Sequence, residues 1–166
     1  MIRKKVFMLG AFAVGKTSLV QRFVHTIFSE RYLTTIGVKI EKKVLQIDGV
    51  DVTLLLWDLH GEDELQKINA SYLRGSSGYF IVADGTRAET LEHARSLRRW
   101  ATDFVQDIPC IYLLNKSDLR EDWQATEEDV ARLSSDGLPV IQTSAKSGAG
   151  VDEAFEELCR SMLESQ

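Results

Sequence analysis

Short apolar runs alternate with segments of helical periodicity along the chain. Six of these runs predict β-strands: Val6–Leu9, Val38–Ile47, Val52–Asp58, Tyr79–Asp84, Pro109–Asn115 and Pro139–Thr143. Most of them are nearly continuous in apolar residues rather than alternating, which is typical of parallel strands buried on both faces. Asp48-Gly49, between the second and third runs, predicts a tight hairpin, so one edge strand should be antiparallel.

Four further segments predict helices: Thr17–His25, a helix from about Thr86 to Phe104, Thr126–Leu133, and an amphipathic helix over Val151 to Met162. Thr86 followed by Glu89 fits a capping box at the start of the second helix. The alternation predicts an α/β fold, with a mostly parallel six-stranded sheet, one antiparallel edge strand and helices on both faces. Ligands of such sheets bind beyond the carboxyl ends of the strands.

The composition narrows the class of protein. The 166 residues suit a single domain spanning residues 1–166, and the net charge of -5 argues against nucleic-acid binding. The short basic cluster Arg3-Lys4-Lys5 is interpreted as a solvated strand start. Cys110 and Cys159 belong to no CxxC pair and predict buried, reduced thiols.

The sequence offers no sign of a membrane anchor within this chain. No segment is long and apolar enough to span a bilayer. Ile2 excludes N-myristoylation, and the final residues, Glu164-Ser165-Gln166, do not form a prenylation box. We therefore expect a cytoplasmic location.

The run Gly10-Ala11-Phe12-Ala13-Val14-Gly15-Lys16-Thr17 has the form GxxxxGK[ST] and follows an apolar strand. This is the phosphate-binding loop, in which backbone N–H groups point at phosphate oxygens and the next helix adds the positive end of its dipole. Lys16 is expected to reach the β- and γ-phosphates, and Thr17 to offer a hydroxyl to Mg²⁺. Ser18, the next residue, is included in the predicted nucleotide site.

Four further segments agree with a nucleotide site. They are Thr34-Thr35-Ile36-Gly37, Trp57-Asp58-Leu59-His60-Gly61, Asn115-Lys116-Ser117-Asp118 and Ser144-Ala145-Lys146. Asp118 can accept two N–H donors from the edge of guanine, and the Ala145 amide could read the guanine carbonyl. Asn115 can tie the base loop to the phosphate loop, while Lys116 can lie along the base. Asp58 suits a water-mediated contact to Mg²⁺.

With these five segments in order, the chain resembles a small GTPase of the Ras superfamily and is most similar to the Rab family. Two segments carry the Rab likeness, Thr35-Ile36-Gly37-Val38 and Ser71-Tyr72-Leu73-Arg74-Gly75. The resemblance implies a P-loop NTPase fold, the G-domain, that binds GTP or GDP with Mg²⁺.

The resemblance also implies roles for particular residues. Phe28 would stack against guanine, and Thr17, Thr35 and Asp58 would hold Mg²⁺. Lys16, Gly61 and Glu62 would act in hydrolysis. Effectors and regulators would bind the switch loops in the GTP state, around the residues Thr34, Thr35, Ile40, Trp57 and Tyr72; for Ile40 and Trp57, residue type alone fits plain packing as well.

Three departures from the family pattern leave alternatives open. Phe12 replaces a small residue in the phosphate loop, Glu62 replaces the glutamine that orients water, and the long prenylated tail is absent. The first interpretation is a switch that hydrolyses GTP slowly. The second is an interaction module that binds GTP with negligible hydrolysis. An ATP-dependent enzyme is a weaker third, because Asn115–Asp118 favours guanine.

Overall fold

The computed structural model describes residues 2–26, 28, 38–59, 70–105 and 107–165. The strands are β1 (Ile2–Gly10), β2 (Val38–Ile47), β3 (Val50–Leu59), β4 (Gly78–Asp84), β5 (Cys110–Asn115) and β6 (Val140–Gln142). The α-helices in this part of the chain are α1 (Lys16–His25), α2 (Glu89–Ala101), α3 (Glu127–Leu133) and α4 (Val151–Glu164). A 3₁₀ turn spans Ala70–Leu73.

The strands form one sheet in the order β2-β3-β1-β4-β5-β6. Only β2 and β3 pair antiparallel, and every other neighbouring pair is parallel. The hairpin turn between them places Asp48 and Gly49 at φ 50° and 82°, the two positive φ values that a tight type I′ turn requires. The predicted fold class, with its antiparallel edge strand, is confirmed.

Both faces of the central strands are buried, as their continuous apolar runs predict. On one face, α1 and α4 cover the sheet, and the Phe23 and Phe155 rings stack with centroids 3.8 Å apart. On the other face, α2 covers the sheet, with Leu97 in the same cluster as Phe7 and Ile81. This packing fixes the carboxyl ends of the parallel strands relative to one another.

The predicted start and end of α2 are wrong. The Thr86 side chain does not cap the helix but donates to Asp84 Oδ1 at 2.7 Å, so α2 begins only at Glu89. The helix ends at Ala101 rather than Phe104, because the Phe104 N–H bonds back three residues to Ala101 and tightens the chain out of the α-helical pattern.

A capping box does occur at α3. Thr126 accepts from the Asp129 N–H at 3.0 Å, and Asp129 accepts from the Thr126 N–H at 3.0 Å. The carboxylate of Asp129 is partly exposed, and its pKa lies below the ordinary value because the Thr126 hydrogen bonds favour the charged form.

The basic cluster at the start of β1 is only partly solvated. Arg3 is exposed, but the Lys5 ammonium lies 3.7 Å from the centroid of the Trp57 ring and donates to the Arg74 carbonyl at 2.9 Å. Burial lowers the pKa of Lys5. The interpretation as a solvated strand start therefore fails for Lys5.

Cys110 and Cys159 are both buried free thiols, and burial raises the pKa of Cys110 to about 12. Both thiols therefore stay protonated and inert near neutral pH. None of the described helices has the length and apolar character needed to cross a membrane.

Candidate nucleotide-binding site

Four chemically important segments meet at one edge of the sheet. Gly10 ends β1, Asp58 lies next to the end of β3, Asp84 ends β4 and Asn115 ends β5. Because these four strands are parallel neighbours, their carboxyl ends lie side by side, where ligands of open α/β sheets bind.

The loop from Gly10 to Lys16 joins β1 to α1 at this edge. Gly15 has φ 104°, and a Cβ there would lie 2.3 Å from Asn115 Nδ2, so only glycine fits. The Lys16 side chain is 6% exposed, and its ammonium donates to the Gly10 carbonyl at 2.8 Å and to the Ala11 carbonyl at 3.4 Å. The lysine therefore folds back over the loop that it follows.

The N-terminus of α1 is arranged for an anion. Gly15 caps the helix without a side-chain hydrogen bond, and the first turn, which includes Thr17 and Ser18, carries no acidic residue. The helix dipole and the first backbone N–H groups therefore favour negative charge at this point.

Thr17 and Asp58 meet beside this helix start. The Thr17 hydroxyl donates to Asp58 Oδ2 at 2.5 Å, and Asp58 is 1% exposed. A hydroxyl and a carboxylate are the hard oxygen ligands that Mg²⁺ prefers, and Mg²⁺ in phosphate sites is held by few protein ligands. The donor set therefore fits a Mg²⁺ ion.

Asn115 links two segments that are far apart in sequence. Its Nδ2 donates to the Val14 carbonyl at 3.0 Å, and its Oδ1 accepts from the Thr143 hydroxyl at 3.1 Å. Asn115 and Thr143 are 2% and 0% exposed. One buried amide thus connects the phosphate loop, the end of β5 and the segment after β6.

Asp118 and Ser144 are in direct contact across two loops. The Ser144 hydroxyl donates to Asp118 Oδ1 at 2.7 Å and accepts from the Ser147 N–H at 3.0 Å. Ser144 and Ala145 are buried, whereas the Lys146 side chain is exposed. The carboxylate is therefore held in one orientation by the segment that follows β6.

Asp84 and Arg87 join the site, and sequence reasoning missed both. Asp84 is 1% exposed and receives Lys116 Nζ at 2.9 Å, Arg87 Nε at 3.1 Å and two donors from Thr86. Burial alone would raise the pKa of Asp84, but the hydrogen bonds from Thr86 and Lys116 outweigh it and lower the pKa. The position of Asp84 at a strand end is a signal that could have revealed it.

Some predicted site residues lie outside the described part of the chain: Thr34, Thr35, Gly61 and Glu62. Phe12 and Phe28 are described and are 43% and 36% exposed. Ile40, Trp57 and Tyr72 come together on the sheet. Ile40 pairs with Trp57 across β2 and β3, and the Trp57 and Tyr72 rings lie 6.2 Å apart.

A GxxxxGK[ST] loop between β1 and α1 of a mostly parallel sheet defines the class: this is a phosphate-loop nucleotide-binding protein. The sequence profile of the Ras family matches residues 5–164. The Ras-related protein Rab-32C of Dictyostelium discoideum is 36% identical, over 99% of this chain and 75% of that protein.

Two other relatives match over similar lengths. The Ypt/Rab-type GTPase YPT7 of Saccharomyces cerevisiae is 34% identical, over 96% of this chain and 81% of that protein. The human Ras-related protein Rab-8B is 31% identical, over 96% of this chain and 78% of that protein. The chain belongs to the Ras family and is a Rab-like small GTPase.

Proposed function

We propose that this protein is a Mg²⁺-dependent switch that binds GTP, hydrolyses it slowly to GDP, and binds protein partners in the GTP state. The observation that carries the proposal is the buried bridge from the Val14 carbonyl through Asn115 to Thr143. The bridge ties the loop suited to phosphates to the two segments, around Asp118 and Ser144, that are suited to a guanine base.

The candidate site residues take the following roles in this proposal. Lys16 and the loop N–H groups bind the β- and γ-phosphates, and Asp118 accepts the paired N–H donors of guanine. Thr17 and Asp58 would hold Mg²⁺, which neutralises charge on the phosphate oxygens. Thr35 would join them only when the γ-phosphate is present, which would distinguish the GTP state from the GDP state for partners.

The experiment is single-turnover hydrolysis of bound GTP by the purified protein, with excess Mg²⁺ or with EDTA. We expect slow conversion to GDP with Mg²⁺, loss of conversion with EDTA, and no displacement of GTP by excess ATP. Displacement by ATP would contradict guanine specificity, and conversion that is unaffected by EDTA would contradict the role of Mg²⁺.

The second candidate function is a GTP-binding interaction module with negligible hydrolysis. Phe12, a large and partly exposed residue of the phosphate loop, favours it. Glu62 favours it as well, since it stands where the family has a glutamine. The same single-turnover measurement separates the two candidates, because the module would retain GTP indefinitely.

The proposed partner surface lies on β2 and β3, on the same face of the sheet as α2 but to one side of that helix. Ile40, 52% exposed, lies across from Trp57, whose ring is 6.2 Å from that of Tyr72, and Val44 extends the surface along β2. Lys42, which is exposed, lies across from Leu55, so a lysine stands beside an apolar side chain on this surface. We infer a partner that offers apolar residues together with carboxylates.

The replacement Glu62→Gln tests the role of Glu62 in orienting the water that attacks the γ-phosphate. A glutamine can donate to phosphate and accept from water at once, whereas an ionised glutamate only accepts. We expect the hydrolysis rate of the unsubstituted protein to change with pH between about 5 and 8, and that of Glu62→Gln to change less. A flat profile in both proteins, with equal rates, would remove Glu62 from the mechanism.

The replacement Phe12→Gly tests access to the phosphate loop. An arginine supplied by an activating protein accelerates hydrolysis by roughly 10³–10⁵-fold, and it must pass close to this loop. We expect Phe12→Gly to be stimulated by such a protein more than the unsubstituted chain is, because a phenyl ring occupies the approach. Strong stimulation of the unsubstituted chain, with no gain in Phe12→Gly, would contradict this prediction.

A further inference from the structure

Three consecutive carbonyls of the phosphate loop each accept a hydrogen bond from a separate side chain. Arg87 Nη2 donates to the Phe12 carbonyl at 2.7 Å, and Lys116 Nζ donates to the Ala13 carbonyl at 2.9 Å. Asn115 Nδ2 donates to the Val14 carbonyl at 3.0 Å. These donors come from the ends of β4 and β5, so all three carbonyls face the neighbouring strand ends.

The orientation of these carbonyls fixes the orientation of the loop N–H groups. In a planar trans peptide, the carbonyl of one residue and the N–H of the next point in opposite directions. The N–H groups of Ala13 and Gly15 therefore point away from the strand ends, toward the side where an anion would lie. The Val14 N–H also makes a long turn bond of 3.4 Å to the Ala11 carbonyl.

The loop requires such support, because Ala13 has φ 63°, in the left-handed region that a residue with a Cβ rarely adopts. This conformation is energetically unfavourable and persists only where the surroundings enforce it. The hydrogen bonds to the Phe12 and Ala13 carbonyls lie on either side of the strained residue and supply that constraint.

A single buried carboxylate orients two of the three donors. Asp84 Oδ2 accepts from Arg87 Nε at 3.1 Å and from Lys116 Nζ at 2.9 Å. The planar guanidinium of Arg87 can thus donate to Asp84 through Nε while donating to Phe12 through Nη2. A lysine ammonium at this position would lack that rigid fork.

We propose that Arg87 is a positioning residue for nucleotide retention: held by Asp84, it fixes the Phe12 peptide and thereby aims the Ala13 N–H at the β-phosphate. This inference rests on the proposed nucleotide-binding function and extends it to a residue outside the five motif segments. The direct contact of Arg87 with the site is its bond to the Phe12 carbonyl of the phosphate loop, so its contribution should depend on a β-phosphate being present.

The experiment compares the dissociation of GDP and the affinity of GMP for Arg87→Ala, Arg87→Lys and the unsubstituted protein. The control is Arg95→Ala, which removes a partly exposed arginine of α2 whose partner is Glu92 at 3.2 Å. Arg87 is 36% exposed, so its removal leaves no large cavity.

We expect Arg87→Ala to release GDP about 3- to 10-fold faster, the size expected for one partly exposed hydrogen bond from a charged group. GMP affinity should change less than about twofold, because GMP has no β-phosphate for the loop to hold. The rate of GDP release from Arg87→Lys should lie between the rates of Arg87→Ala and the unsubstituted protein. The rate for Arg95→Ala should equal that of the unsubstituted protein.

Two results would overturn the inference while leaving the proposed function intact. One is unchanged GDP release in Arg87→Ala, and the other is an equal loss of GDP and GMP affinity, which would mean general loosening of the site. Failure of the unsubstituted chain to bind GDP would overturn the proposed function and this inference together.

Discussion

Replacing Asp118 by asparagine is expected to weaken GDP binding about 10- to 150-fold and to give a preference for xanthine nucleotides. The estimate corresponds to the loss of about 1.5–3 kcal/mol for hydrogen bonds to a charged acceptor. Guanine presents two N–H donors to the carboxylate, and xanthine replaces one of them with a carbonyl that the asparagine N–H₂ can satisfy.

The substitution Asp118→Asn should change the contact with the base without disrupting the contact between the two loops. Ser144 donates to Asp118 Oδ1, and the amide oxygen of asparagine can accept that same bond, so the loop contact survives the change. Titration with fluorescent GDP and xanthosine diphosphate measures the effect. Asp122→Asn is the matched control, since Asp122 is exposed in the same connecting segment. Unchanged GDP affinity in Asp118→Asn would reject the assignment of Asp118 to the base.

Replacing Thr17 by asparagine is expected to reduce the affinity for GTP relative to that for GDP by on the order of tenfold or more. The Thr17 hydroxyl lies 2.5 Å from the buried Asp58 carboxylate, so the larger amide would disturb both proposed Mg²⁺ ligands. The affinity for GTP should fall more because, in the proposed mechanism, Thr35 and the γ-phosphate would complete the ion's surroundings only in the GTP state. Lys16→Ala, by contrast, should weaken the binding of both nucleotides, since Lys16 would bind the β-phosphate in each.

The measurement is the affinity for each nucleotide as a function of Mg²⁺ concentration. Thr26→Asn serves as a matched control, because Thr26 closes the other end of α1 at φ 57°, a left-handed conformation that asparagine tolerates. If Thr17→Asn bound GTP with the Mg²⁺ dependence of the unsubstituted protein, then Thr17 and Asp58 would not form the metal site.

The sequence predicted the features that local chemistry determines. The apolar runs located the six strands of the described part of the chain, and Asp48-Gly49 identified the antiparallel pair, because the side chains that produce these patterns also form the core. The start of α2 was predicted wrongly because the Thr86 hydroxyl had two possible roles. It donates to the buried Asp84 carboxylate instead of accepting a backbone N–H as a helix cap, and the sequence alone does not show that Asp84 lies within reach.

In the candidate site, too, some contacts follow from local sequence and others only from the assembled fold. Gly15, Lys16 and Thr17 form one contiguous motif, so their proximity follows from the sequence. Arg87 reaches the Phe12 carbonyl across 75 positions of the chain, and no local pattern encodes that contact. It depends on β1 and β4 being neighbours and on Asp84 directing the guanidinium, both of which require the assembled sheet.

The two edges of the sheet also bear on how the protein avoids aggregation. Edge strands expose unpaired backbone groups that can recruit a strand from another molecule. At one edge, β6 is only three residues long, too short to template an extended pairing. At the other, β2 is ten residues long but carries Lys39, Lys42 and Lys43. If β2 of one molecule paired with β2 of another, these lysines would come close together and repel. The charge of this edge strand therefore disfavours pairing with a second copy of the same chain.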